Sequence, residues 1–182
     1  YMVIVVSSAM SGVTNELIKK SFEISDSFAE SEHDVLVSTG EQVACSLIAG
    51  RLIHEGYESR SWLSWQVPIL TKGNYKNSRI NQINKRNIIK YVKKGGIPIV
   101  TGFQGLNDEN RITTIGRGGS DASAIMIAKF FKAERCIIYT DVEGVYTTDP
   151  NKLKNAKKIK VISYEEMLEM ASLGAKVMQP VS

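Results

Sequence analysis

Short apolar runs alternate with helical patterns along this chain, and that alternation restricts the available architectures more than any other feature. Residues 3–8 predict a buried strand and residues 13–24 a helix. Residues 34–39 predict a second strand, feeding a helix that starts near Glu41, and residues 57–63 a third strand. A helix is expected over 84–94, where Ile88, Tyr91 and Val92 fall at i, i+3 and i+4 and Gly95-Gly96 provides a stop. Residues 97–100 and 135–140 predict strands on either side of a helix over 121–132. The last helix has the fullest signature. Ser163 to Glu166 forms a capping box, Tyr164, Met167, Leu168 and Ala171 repeat on one face, and Gly174 fits the C-terminal stop. Alternation of this kind predicts a mostly parallel sheet with helices on both faces. Ligands of such sheets bind beyond the carboxyl ends of the strands.

Composition narrows the class. With 182 residues, 43% of them hydrophobic, the chain suits one soluble globular domain. Its longest apolar runs are strand-sized, far short of the roughly 18 residues of a spanning helix, and no basic-then-apolar leader opens it. Two cysteines and two histidines form no metal-ligand cluster. Cys45 and Cys136 read as small core residues of a protein in a reducing cytoplasm, His33 and His54 as surface residues. The net charge of +4 comes partly from five lysines between Lys152 and Lys160. With no aromatics interleaved among them, they read as a solvated loop rather than a nucleic-acid surface. A mildly basic balance does fit a small, highly anionic ligand.

The segment "TTIGRGGSDASAI", Thr113 to Ile125, is the most unusual. Gly116, Gly118 and Gly119 surround Arg117, and Ser120-Asp121 then lead into an apolar helix. Glycines so concentrated are entropically costly, and their use implies unusual backbone angles or close approach by a partner. A flexible turn at a helix N-terminus can hold an anion. Arg117 adds a forked cationic donor, and Ser120 or Asp121 can cap the helix. The segment is neither a P-loop nor Gly-x-Gly-x-x-Gly, since Asp121 takes the place of the last glycine.

Three further segments fall after expected strands. Ser7 to Asn15, with its small hydroxyls and Gly12, allows close backbone approach, although Thr14 and Asn15 are also ordinary cap residues. Gly40-Glu41 follows the second expected strand, and Glu41 in a first helical turn has a dipole explanation. In the longer run from Thr140 to Pro150, Asp141 could accept from a ribose hydroxyl or an adenine amino group and Tyr146 could pack on a base. The same residues also read as a surface loop turning at Asp149-Pro150.

Together these segments resemble the aspartokinases, members of the amino acid kinase fold family. The matching stretches are "VVSSAMSGVTN", "STGEQVA", "IVTGFQG", "ITTIGRGGSDASA", "TDVEGVYTTDP" and "SLGAKVMQP", in the family's order and spacing. The resemblance implies a three-layer αβα sandwich with a mostly parallel central sheet, spanning residues 1–182 as one catalytic domain. It implies transfer of the γ-phosphoryl of ATP to the side-chain carboxylate of L-aspartate, giving 4-phospho-aspartate at the start of the route to lysine, threonine and methionine. Glu41 would then bind the substrate's α-ammonium and Arg117 its α-carboxylate. Ser8, Thr14 and Phe103 would line the pocket, and Gly118, Gly119 and Ser120 would supply backbone and hydroxyl contacts. Asp121 would be the catalytic aspartate that positions cationic groups around the transferring phosphoryl. Thr140, Asp141, Tyr146, Thr147 and Asp149 would face the nucleotide, with Pro150, Asn151, Lys176 and Val177. Mg²⁺ would bridge the ATP oxygens, held by phosphate and water rather than by a protein cage. The resemblance also implies a cytoplasmic enzyme that is a homo-oligomer at full length, with small-molecule partners and neither nucleic acid nor membrane.

Departures from the family pattern matter too. The family's opening strand carries Lys-Phe-Gly-Gly, whose lysine neutralises phosphate charge, and the family continues into C-terminal ACT domains. Neither occurs here, so the chain reads as a piece of a catalytic region with both ends cut, and Asn151 stands where many members have Arg. Alternatives at this point are a kinase of the same fold acting on glutamate, acetylglutamate or a nucleotide, a binding domain without activity, and nucleic-acid binding through the lysine run. For the isolated 182 residues the expectation is severely reduced or no turnover in an ATP- and aspartate-dependent hydroxamate assay. Turnover near that of a full-length enzyme would refute it.

Overall fold

A computed structural model of the protein describes residues 1–116, 118–140, 144–148, 153 and 155–172. The described elements run β1 (Val5–Ser7), α1 (Val13–Ile24), α2 (Glu30–His54), β2 (Ser59–Trp62), β3 (Ile69–Lys72), β4 (Arg79–Ile83), α3 (Arg86–Val92), β5 (Ile97–Thr101), β6 (Gln104–Leu106), β7 (Ile112–Thr114), α4 (Gly119–Phe131) and α5 (Tyr164–Ser172). They fall into two units, residues 1–136 and residues 137–182.

The first unit contains the predicted parallel sheet, in the order β1-β5-β2. Val5 to Ser7 pair in register with Ile99 to Thr101, and Trp62 pairs with Val100. Because side chains alternate across a strand, this register sorts the sheet into two faces. Val5, Ile97 and Ile99 pack with Cys45, Ile48, Ala49 and Leu52 of α2. Ile4, Val6, Trp62 and Val100 pack with Ile88 and Val92 of α3 and Ala122 and Ile127 of α4. The expected helix–sheet–helix layering thus follows from period-2 burial in the strands and period-3.6 burial in the helices.

A second, four-stranded sheet runs in the order β4-β3-β6-β7. Only β3 and β6 are parallel, whereas β3–β4 and β6–β7 are antiparallel. Its interior carries hydroxyls as well as aliphatics. Thr71 Oγ1 and Thr113 Oγ1 lie 2.6 Å apart, and Ser78 Oγ donates to Thr113 Oγ1 at 3.1 Å, all in buried positions.

The structure corrects several sequence expectations. Residues 34–39 are not a strand but lie inside α2, a single helix of 25 residues. Val37, Glu41, Ala44, Cys45 and Ala49 are buried at helical spacing, and this long apolar face overrides the strand-like Val35-Leu36-Val37 run. Residues 135–140 form no strand among the described residues. Ile137 and Tyr139 are 61% and 91% exposed, so among the described residues the apolar run there is left largely uncovered. Cys45 is buried as expected but Cys136 is exposed. His54 is exposed as expected, whereas His33 is mostly covered, its side chain 15% exposed beside Asp34.

The second unit is built on a different scale. Tyr146 bridges Lys158 in antiparallel fashion, the Thr147 N–H donates to the Lys157 carbonyl, and the Ile159 N–H donates to the Val145 carbonyl. The capping box of α5 is present. The Ser163 N–H donates to Glu166 Oε2 at 2.8 Å and the Glu166 N–H to Ser163 Oγ at 3.2 Å. The Gly174 stop lies outside the described residues.

Ile99 is fully buried between the central sheet and α2. Ile99→Ala should cost about 2–5 kcal/mol in urea denaturation. A loss below about 1 kcal/mol would show that this face is not a packed layer.

Candidate functional site

Three segments meet beyond the carboxyl ends of β1 and β5. Each strand ends at a small polar residue, Ser7 or Thr101, and the Gly102 N–H then donates to the Ser7 carbonyl at 3.0 Å. The chain after β1 turns toward α2 at Ser8-Ala9. There the Ala9 N–H donates to Glu41 Oε1 at 3.0 Å. The approach is close because residue 40 is glycine. A Cβ on Gly40 would lie 2.9 Å from the Ala9 Cβ.

Ser8 reaches in the other direction. Its Oγ donates to Ser120 Oγ at 2.7 Å, joining the β1 loop to the first turn of α4. The glycine-rich turn enters that helix through Gly118, whose φ of 74° places it in the left-handed region. Gly119 lies against the Phe103 ring, where a Cβ would come within 2.8 Å of a ring carbon. Phe103 itself holds a φ of 66°, uncommon for a large residue. Ser123 explains how that conformation is kept. Its Oγ accepts from the Phe103 N–H at 3.0 Å and donates to the Gly119 carbonyl at 2.7 Å, while the Phe103 carbonyl accepts from the Ile115 N–H.

Of the residues singled out from sequence, Ser8, Glu41, Phe103, Gly118, Gly119 and Ser120 are linked by these contacts, with Asp121 next along α4. Thr14 stands half-buried in the first turn of α1, whose Val13 and Leu17 adjoin Gly40. Thr140 is exposed, Thr147 is exposed, and Tyr146 is half-buried with its backbone paired to Lys158. Thr140, Tyr146 and Thr147 belong to the second unit. Arg117, Asp141, Asp149, Pro150, Asn151, Lys176 and Val177 lie outside the described residues.

Glu41 dominates the electrostatics. It sits in the middle of α2 rather than in a first turn, so the helix N-terminus does not account for it. Its side chain is almost fully buried, and Oε2 has no hydrogen-bond partner. Desolvation raises its pKa to about 7, opposed by the Ala9 N–H. Cys45, one turn further on, has its thiol pushed up to about 12 by burial and then by the Glu41 charge, so it is a protonated, unreactive packing residue. Burial also raises the pKa of Asp121. A buried carboxyl with one open oxygen is suited to a cation that brings its own hydrogen-bond donors. Among the described residues no group of three His, Cys, Asp or Glu side chains could hold a metal ion.

Sequence reasoning passed over two residues that build this site. Ser123 reads as one more small residue in an apolar helix, and only the turn it back-bonds reveals it. Asp34 reads as a strand-initial polar residue, yet its spacing of seven from Glu41 places both on one helical face.

The pH dependence of Glu41 has a definite sign. Its folded-state pKa is raised from 4.5 to about 7, so its contribution to stability is complete below the unfolded value and is lost as pH rises through the folded one. Glu41→Gln removes that loss. Denaturation of the ligand-free protein should show the variant gaining roughly 3 kcal/mol on the parent between acid conditions and about pH 8. A difference that stays flat with pH would rule out the raised carboxyl.

The comparisons with known proteins agree with this architecture. Aspartokinase from Rickettsia conorii is 50% identical over 183 residues, covering 98% of this chain and 45% of that protein. Aspartokinase 2 of Bacillus subtilis is 47% identical, covering 99% of this chain and 44% of that protein. The chain therefore spans a little under half the length of these relatives. The crystal structure of E. coli aspartokinase III in complex with aspartate and ADP superposes with a TM-score of 0.87 at 26% identity, covering 98% of this chain and 51% of that one. The profile of the amino acid kinase family matches residues 1–182, so the chain belongs to the amino acid kinase family.

Proposed function

We propose that the protein containing this chain is an aspartate kinase, transferring the γ-phosphoryl of ATP to the side-chain carboxylate of L-aspartate. The carrying observation is Glu41. One of its oxygens is fixed by the Ala9 N–H, and the other is buried and open. An α-ammonium group offers three donors and a positive charge to such an oxygen. A bound ammonium would also return the carboxyl to its charged form, reversing the desolvation that raises its pKa in the free protein.

The remaining roles are those that the resemblance to the aspartokinases implies. Arg117 takes the α-carboxylate, so that the zwitterion is read by one anion and one forked cation and its side carboxylate stays free. Ser8, Thr14, Phe103, Gly118, Gly119 and Ser120 line the same pocket. The free carboxylate is ionised at neutral pH and attacks the γ-phosphorus directly. The bond to the bridging oxygen breaks and ADP leaves. No strong general base is needed, and the rate depends on alignment and charge neutralisation. Asp121 positions cationic groups around the phosphoryl, and a Mg²⁺ accompanying the nucleotide would supply neutralisation of the phosphate charge.

Residues 1–182 form the kinase catalytic domain in this reading. Thr140, Asp141, Tyr146, Thr147, Asp149, Pro150, Asn151, Lys176 and Val177 contact the nucleotide. The reaction is the first step toward lysine, threonine and methionine, in the cytoplasm, in a homo-oligomer. Support comes from the roughly half-identical aspartokinases and from the E. coli relative that binds aspartate and ADP.

The test is a substrate panel with the protein as its gene encodes it. Aspartate should give ATP-dependent acyl phosphate, trapped as hydroxamate, and glutamate should not. Glu41→Gln should raise the KM for aspartate by about 10- to 100-fold, the loss expected for a hydrogen bond to a charged group. Phosphorylation of glutamate without aspartate would overturn the assignment.

A further inference from the structure

The reaction leaves Asp34 unused, although it is the other fully buried carboxylate of α2. Burying such a group is expensive and adds little net stability, so its partners reveal what it is for. Oδ2 accepts from the Thr114 N–H at 2.7 Å and from the Lys76 N–H at 2.9 Å, and Oδ1 accepts from Thr114 Oγ1 at 2.9 Å. His33 Nδ1 lies 3.5 Å from Oδ1.

These donors belong to two different segments. Thr114 ends β7, two residues before Gly116 and the glycine-rich turn. Lys76 lies between β3 and β4 with a φ of 62°, a conformation that persists only where the surroundings over-determine it. Its side chain is held as well, 3.5 Å from Glu30, one helical turn before Asp34. The two segments then meet again beyond the carboxylate. Gly116 abuts the Lys76 carbonyl, where a Cβ would lie 2.9 Å away. The Gly116 carbonyl in turn accepts from the Gly119 N–H at 3.0 Å, at the head of α4. An unbroken chain of contacts runs from Asp34 through Thr114 and Lys76 to Gly116 and Gly119.

We propose that Asp34 is a positioning residue for the phosphoryl-transfer site: it clamps β7 and the β3–β4 turn onto α2 and so fixes where the glycine-rich turn stands relative to Glu41. Both ends of the substrate pocket are then referenced to one rigid helix, Glu41 directly and the turn through Asp34. The kinetic half of this inference rests on the aspartate kinase reading, whereas the structural half does not.

The test uses Asp34→Asn and Thr114→Val in the protein as its gene encodes it. Asparagine keeps the shape but replaces one acceptor by a donor facing N–H groups. Valine keeps the Thr114 N–H and removes only its hydroxyl. Amide hydrogen exchange should quicken about tenfold or more over residues 113–121 in either variant and stay within about twofold in α1 and β5. The KM for aspartate should rise about tenfold or more while that for ATP changes less than about twofold, and Thr114→Ser should restore both readouts. Unchanged exchange in the turn, or equal quickening throughout the molecule, overturns the proposal. If Asp34→Asn does not fold, Thr114→Val decides by the same measurements. If the parent protein does not turn over aspartate, the functional reading fails while the exchange pattern still decides the role of Asp34.

Discussion

The hydrogen bond from the Ala9 N–H to Glu41 Oε1 joins the two elements on which the site depends. It ties the loop leaving β1 to the middle of α2, and the close approach that permits it needs the missing side chain at Gly40. The bond uses one carboxyl oxygen and leaves the other buried and open. Placed on the surface, this carboxyl would be fully hydrated and would discriminate little. Under the sheet edge it carries a desolvation cost that a bound cation relieves. The empty pocket thus carries an uncompensated desolvation cost.

Glu41 and Asp34 make a controlled comparison within one helix. Seven residues apart, they share a face and near-complete burial. Asp34 has three donors supplied by the protein, two of them backbone amides. Glu41 has one donor from another segment and an open oxygen. The saturated carboxylate ties α2 to β7 and to the β3–β4 turn, and the unsaturated one keeps an acceptor open. Burial alone does not separate these roles. The count of satisfied lone pairs does.

Much of this could be read in the sequence, and the reasons differ by element. The limits predicted for α1, 13 to 24, are those observed, because Gly12 and the helical pattern mark them locally. The cap of α5 was legible because a capping box is a four-residue code. The glycine-rich turn announced itself by composition, and the structure adds Ser123 and the strained Phe103 that set its angle. The failures have a common cause. An apolar run such as Val35 to Val37 looks the same in a strand and in a buried helix, and only the apolar face extending to Ala49 decides. The second sheet was missed because its buried positions carry Thr71, Ser78, Gln104, Thr113 and Thr114. Thr71, Ser78 and Thr113 satisfy one another, Gln104 meets the Ser38 carbonyl and Thr114 the Asp34 carboxylate only after the strands and α2 have met, and nothing local records that pairing.

The polar second sheet has a consequence for the site. Aliphatic side chains add no directional bonds of their own to the backbone ladder. Hydroxyl pairs such as Thr71 with Thr113, and Ser78 with both Thr113 and the Thr114 carbonyl, are directional and lose their partners on a slide of one position. Gln104 extends the same logic to α2, donating to the Ser38 carbonyl at 2.9 Å. A sheet locked in register by hydrogen bonds holds the end of β7 at a fixed height beside α2. The glycine-rich turn begins at that end. Its glycines supply the backbone freedom the turn needs, and the rigidity that makes such freedom useful comes from the hydroxyls and carboxylate beneath it.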